Sequence, residues 1–241
     1  MPDKNYHMSY DQMAAVYDLI YEWKDYACEA ALLRWVIRAS KRSNGNMFLD
    51  VACGTGRHMA ELQRDFAVEG LDLSEELLAV ARQRLPDVTF HAGDMTAFDL
   101  SQQFDVVTCL FSAIGHVKTA DKLNAALRCM SAHTKPGGVV IIEPWFTPEQ
   151  YHAGSIHKLF VDKPDVKLAR MNVSEVQGNL SIMDLHHLVG TTNGVRHFVE
   201  RLEMGLFAHE EYLAAFAHAG LNATLDAYGL EGRGLYIGVK A

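Results

Sequence analysis

Two close-set glycines, three carboxylates at apolar strand ends and one histidine are the residues of this chain whose types and spacing suit chemistry on a nucleoside. The run Phe48-Leu49-Asp50-Val51-Ala52-Cys53-Gly54-Thr55-Gly56-Arg57-His58 carries an apolar strand into a glycine turn. Gly54 and Gly56 tolerate positive φ and have no Cβ, so a ligand can lie against the main chain at the start of the following helix. Met59 stands where the third glycine of a dinucleotide fingerprint belongs, which weakens a pyrophosphate cradle. A second apolar segment, Phe66 to Leu71, ends on Asp72, placed to accept hydrogen bonds from two ribose hydroxyls. The pairing suggests a nucleoside without a bridging diphosphate. Gly93-Asp94-Met95 ends a further segment, and Phe111-Ser112-Ala113-Ile114-Gly115-His116 follows another. A neutral imidazole at that place is suited to orient or deprotonate a nucleophile.

These residues share a site only if the chain gathers them at one edge. Helical apolar spacing runs from about Tyr10 to Trp23 and from Tyr26 to Ile37, with Tyr10, Tyr17, Tyr21 and Tyr26 among aliphatics. From Met47 the pattern alternates: strand to Val51, helix from Arg57, strand Val68 to Leu71, helix Ser74 to Leu85, strand Val88 to His91. Strand Phe104 to Leu110, helix Asp121 to Ala132 and strand Gly138 to Glu143 continue it, the last after a Pro136-Gly137-Gly138 turn. Such alternation predicts an α/β fold with a doubly wound, mostly parallel sheet. Its ligand would lie outside the carboxyl ends of the strands, where Asp50, Gly54, Gly56, Asp72, Asp94, Met95 and the segment after Leu110 converge. After Pro144 three strand-like runs, Val166 to Val176, Leu180 to Val189 and Val195 to Met204, are joined by Gln177-Gly178-Asn179 and Thr192-Asn193-Gly194, which favour antiparallel hairpins. The chain then closes with a helix, Glu210 to Ala219, and strands Asn222 to Tyr228 and Leu235 to Val239. The expectation is one domain over 1–241: a helical cap (1–40), a cofactor-binding core (41–143), a three-stranded antiparallel insertion (144–205) and a closing helix with strands (206–241).

Composition narrows the function. The formal net charge of −8 and the lack of a Lys/Arg cluster argue against a nucleic-acid substrate. The chain has neither an apolar leader after Met1 nor a run long enough to span a bilayer, so a soluble cytoplasmic protein is expected. Cys28, Cys53, Cys109 and Cys129 lack zinc or disulfide spacing and are expected to be reduced. His186-His187 is no metal pair, because adjacent residues of a strand face opposite sides. The expected partner is a small molecule, with self-association into a homodimer left open.

With D-V-A-C-G-T-G at Asp50, G-L-D-L-S at Gly70 and G-D-M at Gly93, the chain resembles the class I S-adenosylmethionine methyltransferases. More closely, it resembles the N,N-dimethyltransferases of TDP-linked 3-amino sugars in macrolide sugar biosynthesis. That resemblance rests on Val16-Tyr17-Asp18-Leu19, Lys24-Asp25-Tyr26, Glu29, the Asp50 to Gly56 loop, Gly93-Asp94-Met95, Ile114-Gly115-His116, Glu143-Pro144-Trp145 and Gly232-Arg233-Gly234-Leu235. It implies a Rossmann-like methyltransferase fold and S-adenosylmethionine as cofactor. Asp72 would hold the ribose, Asp94 and Met95 the adenine, and the Ala52 to Gly56 backbone the amino-acid part, with Asp50, Leu73 and Phe111 in the same set. His116 would be the catalytic or positioning histidine, Tyr26 and Glu29 would face the amine, and Arg233 and Trp145 would lie toward the substrate, under a lid containing Tyr10 and Tyr17. The segment Tyr151 to Lys167 departs from the family pattern, as does the short link between Tyr21 and Lys24. Two other functions stay open on the same motifs: a cyclase or lyase releasing methylthioadenosine, and a cofactor-binding protein without catalysis.

Overall fold

The computed structural model describes residues 16–241, so Tyr10 lies outside the described residues. A short helical segment over 16–20 precedes helix α1, Tyr26–Ser40. The Asp25 carboxylate starts α1 by accepting the Cys28 N–H at 2.9 Å, and Arg38 lies in its last turn, against the negative end of the helix dipole. The alternating core follows as β1 (Met47–Val51), α2 (Arg57–Leu62), β2 (Ala67–Asp72), α3 (Glu75–Arg84), β3 (Thr89–Ala92) and β4 (Phe104–Cys109). A 3-10 turn, Ala113–Val117, leads into α4 (Ala120–Ala132) and β5 (Thr134–Ile142). Four long strands come next: β6 (Ile156–Asp162), β7 (Val166–Gln177), β8 (Leu180–Thr191) and β9 (Gly194–Gly205). Helix α5 (His209–His218) and strands β10 (Leu221–Asp226) and β11 (Leu235–Lys240) complete the chain.

The main sheet has the order β10-β11-β5-β4-β1-β2-β3. All its pairings are parallel except those of β11, which runs antiparallel to both β5 and β10. Connections leave β1 in one direction toward β2 and return on the other side at β4, so the crevice at the ends of β1 and β4 is the switch point where ligands of such sheets bind. Alternate residues of the buried strands feed two layers. Leu49, Val107, Val140 and Ile142 pack with α4 and α5 on one face, and Phe48, Val106, Val139 and Ile141 pack with α1 and α2 on the other. The doubly wound expectation holds.

Two features differ from the sequence reading. The antiparallel sheet has four strands, β6-β7-β8-β9, not three. Strand β6 is an edge strand with large apolar residues, Ile156 and Phe160, on its outer face as well as partly buried Leu159 and Val161 on its inner one, so no clean apolar–polar alternation reveals it. Pro136 and Gly137 do not end a turn ahead of β5 but lie inside it, because the edge of β4 can lose register there: Phe104 pairs with Thr134, and the next pair is Val106 with Val139. Among the described residues no helix is long and apolar enough to cross a membrane.

Candidate active site

The glycine turn lies at the switch point. Gly54 and Gly56 take φ of +56° and +74°, and a Cβ built on Gly54 would meet no atom within 4 Å, so its backbone faces open space. Asp72, at the end of β2, accepts the Gly54 N–H at 2.7 Å and the Ser74 N–H at 2.9 Å. Burial raises its pKa against the pull of those two N–H groups. Asp50 is buried beneath the loop, accepts the Thr108 hydroxyl at 2.7 Å, and is pushed by that burial from 3.8 to about 6. The loop is braced from outside by Asp18: its carboxylate accepts the Thr55 hydroxyl at 2.8 Å and the Arg84 guanidinium, which also holds the Thr55 carbonyl. Helical residues 16–20 are thereby tied to the turn.

A buried chain of charges runs beside it. The Lys24 ammonium is wholly buried, binds Glu29 and Glu231, and lies 4.4 Å from the centre of the Phe111 ring. The other Glu29 oxygen meets His58 Nε2 at 2.7 Å. Burial raises the Glu29 pKa, but the hydrogen bonds from His58 and Lys24 outweigh it and hold the carboxyl low. Glu29 is therefore neither exposed nor free, and both its oxygens are engaged inside the protein. Arg233 likewise spends its Nη2 on Glu231 at 2.6 Å and on Glu143 at 3.0 Å. Glu143, buried at the end of β5, accepts the Phe111 N–H at 2.6 Å through its second oxygen.

That contact helps hold a strained turn. Phe111 and Ser112 have φ of +52° and +60°, as does Ala52 at +59°, conformations that non-glycine residues adopt at a cost and that cluster at functional sites. The Ser112 hydroxyl donates to the Pro144 carbonyl at 2.6 Å and holds the second of them. The following 3-10 turn presses on β9, since a Cβ at Gly115 would come within 2.7 Å of Met204 Cε. His116 projects from it, an exposed residue whose imidazole is nonetheless flanked closely by its neighbours. Its crowded surroundings lower its pKa, and Asp72 opposes the shift. Trp145 donates its indole N–H to Ser181 at 2.8 Å and packs beside Met183, Leu185 and Met204, joining the sheets.

Tyr17, Tyr26, Asp50, Ala52, Gly54 and Phe111 line a single cleft. Tyr26 also packs edge-on against His58 and under the Arg57 guanidinium, 4.8 Å away in both cases. Asp72 borders the cleft through Gly54, and Leu73 beyond it is 74% exposed, an apolar side chain without cover. Asp94 is exposed and accepts both the N–H and the hydroxyl of Thr96 at 2.8 Å through one oxygen, while Met95 is half-buried. His116, Trp145 and Arg233 stand outside the cleft lining. Sequence reasoning passed over Lys24, His58, Asp18 and Glu231 as site residues. Lys24 and Asp18 lay within the resemblance motifs, whereas nothing local to Glu231 marks a partner 207 positions away.

Comparison with known proteins bears on the fold and the family. Residues 48–138 match the family model described as a methyltransferase domain. The chain is 42% identical to dTDP-3-amino-3,4,6-trideoxy-alpha-D-glucopyranose N,N-dimethyltransferase of Streptomyces venezuelae, over 95% of this chain and 98% of that protein. Among solved structures it is similar to Streptomyces venezuelae DesVI, with a TM-score of 0.90 at 40% identity, covering 98% of this chain and 100% of the other. SAM-bound CalS10, an amino pentose methyltransferase from Micromonospora echinaspora, gives a TM-score of 0.85 at 39% identity with 100% of both chains covered. With an α/β fold, a glycine turn at the switch point and relatives this similar over their whole length, the chain belongs to the S-adenosylmethionine-dependent methyltransferases, in the family that includes the dTDP-amino-sugar N,N-dimethyltransferases.

Proposed function

We propose that this enzyme N-methylates a nucleotide-linked amino sugar. The observation that carries the reading is full-length similarity to a dTDP-3-amino-sugar N,N-dimethyltransferase, joined to a site with open space over Gly54 and a carboxylate at the end of β2. The residues fit the cofactor: Asp72 would accept its ribose hydroxyls, Leu73 and Met95 would flank the adenine beside Asp94, and the Ala52 to Gly56 backbone would hold the amino-acid end. Asp50, raised to about 6 by burial, would regain its charge against the ammonium of that end. S-adenosylmethionine supplies an electrophilic methyl on a sulfonium, already a good leaving group.

The chain's own contribution is orientation and exclusion of water, worth up to roughly 7–11 kcal/mol of barrier. Tyr17 and Tyr26 close the cleft. Phe111, fixed by Glu143 and by the Lys24 ammonium over its ring, forms its wall. Glu29 acts by holding Lys24 and His58 in place rather than by meeting the amine with a free oxygen. Arg233 fixes Glu143 at the substrate side. His116, its pKa lowered by desolvation, takes the proton released by the amine or steers its lone pair.

The finer parts of the reading concern assembly and place of action. Ile156, Phe160, Met171, Val173, Leu188 and Val195 are exposed and share the outer face of the antiparallel sheet, which supports a homodimer. The four cysteines are free, which supports action in the cytoplasm. The domain partition, with the core at 41–143 and the insertion at 144–205, belongs to the same proposal. Incubation with S-adenosylmethionine and a nucleotide-linked 3-amino sugar should add one or two methyl groups by mass spectrometry and release S-adenosylhomocysteine. Release of methylthioadenosine instead would reject methyl transfer, and transfer only to an unlinked amine would reject the sugar.

A further inference from the structure

The inner face of the antiparallel sheet carries polar groups that the cofactor cleft does not use. Arg170 on β7 lies opposite His187 on β8, which lies opposite Phe198 on β9. Asn172 and Glu200, two residues further along their strands, share that face. His187 is fully buried, stacked on Phe198 with ring centres 4.5 Å apart, and among the described residues neither of its nitrogens has a hydrogen-bond partner. Asn172 Nδ2 is also buried and has no partner among the described residues. Glu200 stands 3.4 Å from His187 Nε2 and is half-buried. Buried polar atoms are normally paired, so a group of unpaired ones beside a carboxylate calls for a ligand.

The patch adjoins the reaction centre. Arg170 donates to the Tyr21 hydroxyl at 3.2 Å, and the Tyr21 ring packs edge-on against Phe111 of the cleft at 4.9 Å. Tyr17 and His116 each feel the charges of both Asp72 and Glu200, so the patch and the end of β2 act on the same two side chains.

We propose that this patch, centred on Glu200 and His187, is the subsite for the amine-bearing ring of the acceptor: Glu200 accepts an N–H of the amine, and His187 with Asn172 pairs with ring hydroxyls. The proposal rests on the reading above that the acceptor is an amino sugar. In the transfer the amine nitrogen bonds to the methyl carbon while the carbon–sulfur bond breaks with its electron pair going to sulfur. The proton lost from nitrogen in the first round passes to His116 and then to solvent, and Glu200 stays a carboxylate. A secondary amine keeps one N–H for Glu200 and a lone pair for a second transfer; that last N–H is the proton lost in the second round, and it leaves through Glu200 to solvent.

The test is calorimetric titration of the full chain, loaded with S-adenosylhomocysteine, with a nucleotide-linked 3-amino sugar and with its 3-hydroxy analogue. Glu200→Gln should weaken the amino sugar by about 10–100-fold, leave S-adenosylhomocysteine affinity unchanged and abolish the preference for amine over hydroxyl. His187→Phe, which keeps the stack on Phe198, should weaken both sugars. An unchanged amine preference in Glu200→Gln overturns the subsite, whatever happens to turnover. Should the wild type methylate only an amine outside the nucleotide sugars, the amino-sugar reading fails, and kcat/KM for that amine in Glu200→Gln then decides the subsite: a loss supports it and no change overturns it. No transfer to any amine overturns both.

Discussion

At the scale of single residues, burial and charge set testable behaviour. The folded pKa of Asp50, about 6, stands above its ordinary 3.8. The native state thus holds that proton more tightly, and the stabilisation is complete below pH 4 and lost as pH rises through 6. Asp50→Asn keeps an oxygen for the Thr108 hydroxyl and removes the buried charge. It should raise unfolding stability at pH 7 by up to roughly 3 kcal/mol, a gain that fades toward pH 4, while weakening S-adenosylmethionine. Urea titrations at several pH values and calorimetry read both. Desolvation holds the His116 pKa below its usual value, so the role proposed for it predicts activity that persists on the acid side beyond what an ordinary histidine permits. His116→Ala should slow turnover by about 10²–10⁴-fold and spare S-adenosylhomocysteine affinity, which single-turnover kinetics and calorimetry separate.

At the scale of elements, the Asp25 cap of α1 offers an independent check: Asp25→Ala should cost about 1 kcal/mol in chemical denaturation. Legibility also divides here. Strands β1, β2 and β4 and helix α3 could be read because burial on both faces leaves continuous apolar runs, and because Ser74 marks the helix start by accepting the Leu77 N–H at 3.2 Å. Strand β6 could not be, since apolar Ile156 and Phe160 on its outer face mask the alternation of its inward Leu159 and Val161. The cleft residues near Gly54 announced themselves through local motifs. The partners that engage Glu29 and Arg233 did not, because His58 and Glu143 reach them only after the sheet is assembled. The resemblance named Glu29 and Arg233 by their motifs, but their saturated hydrogen bonding is a property of the fold.

Across the whole molecule, the charge chain from His58 through Glu29, Lys24 and Glu231 to Arg233 and Glu143 joins the first helix, the core and the last loop. Removing its central cation leaves Glu29 with His58 alone and Glu231 with Arg233 alone, each with one oxygen unpaired in the interior. Lys24→Met should therefore destabilise the protein by about 3 kcal/mol or more, a drop in Tm of roughly 6–12 °C by differential scanning calorimetry. The same contact imposes an order in time on biosynthesis. Lys24 and Glu231 are 207 positions apart, and at about 5–20 residues per second the ribosome needs roughly 10–40 s to travel between them. Throughout that interval the nascent chain already carries its glycine turn and its β1 to β4 core but lacks the anion that seats Lys24 over Phe111. The cofactor cleft is finished only as the final loop emerges, so a chain released early would present the family motifs without a sealed site.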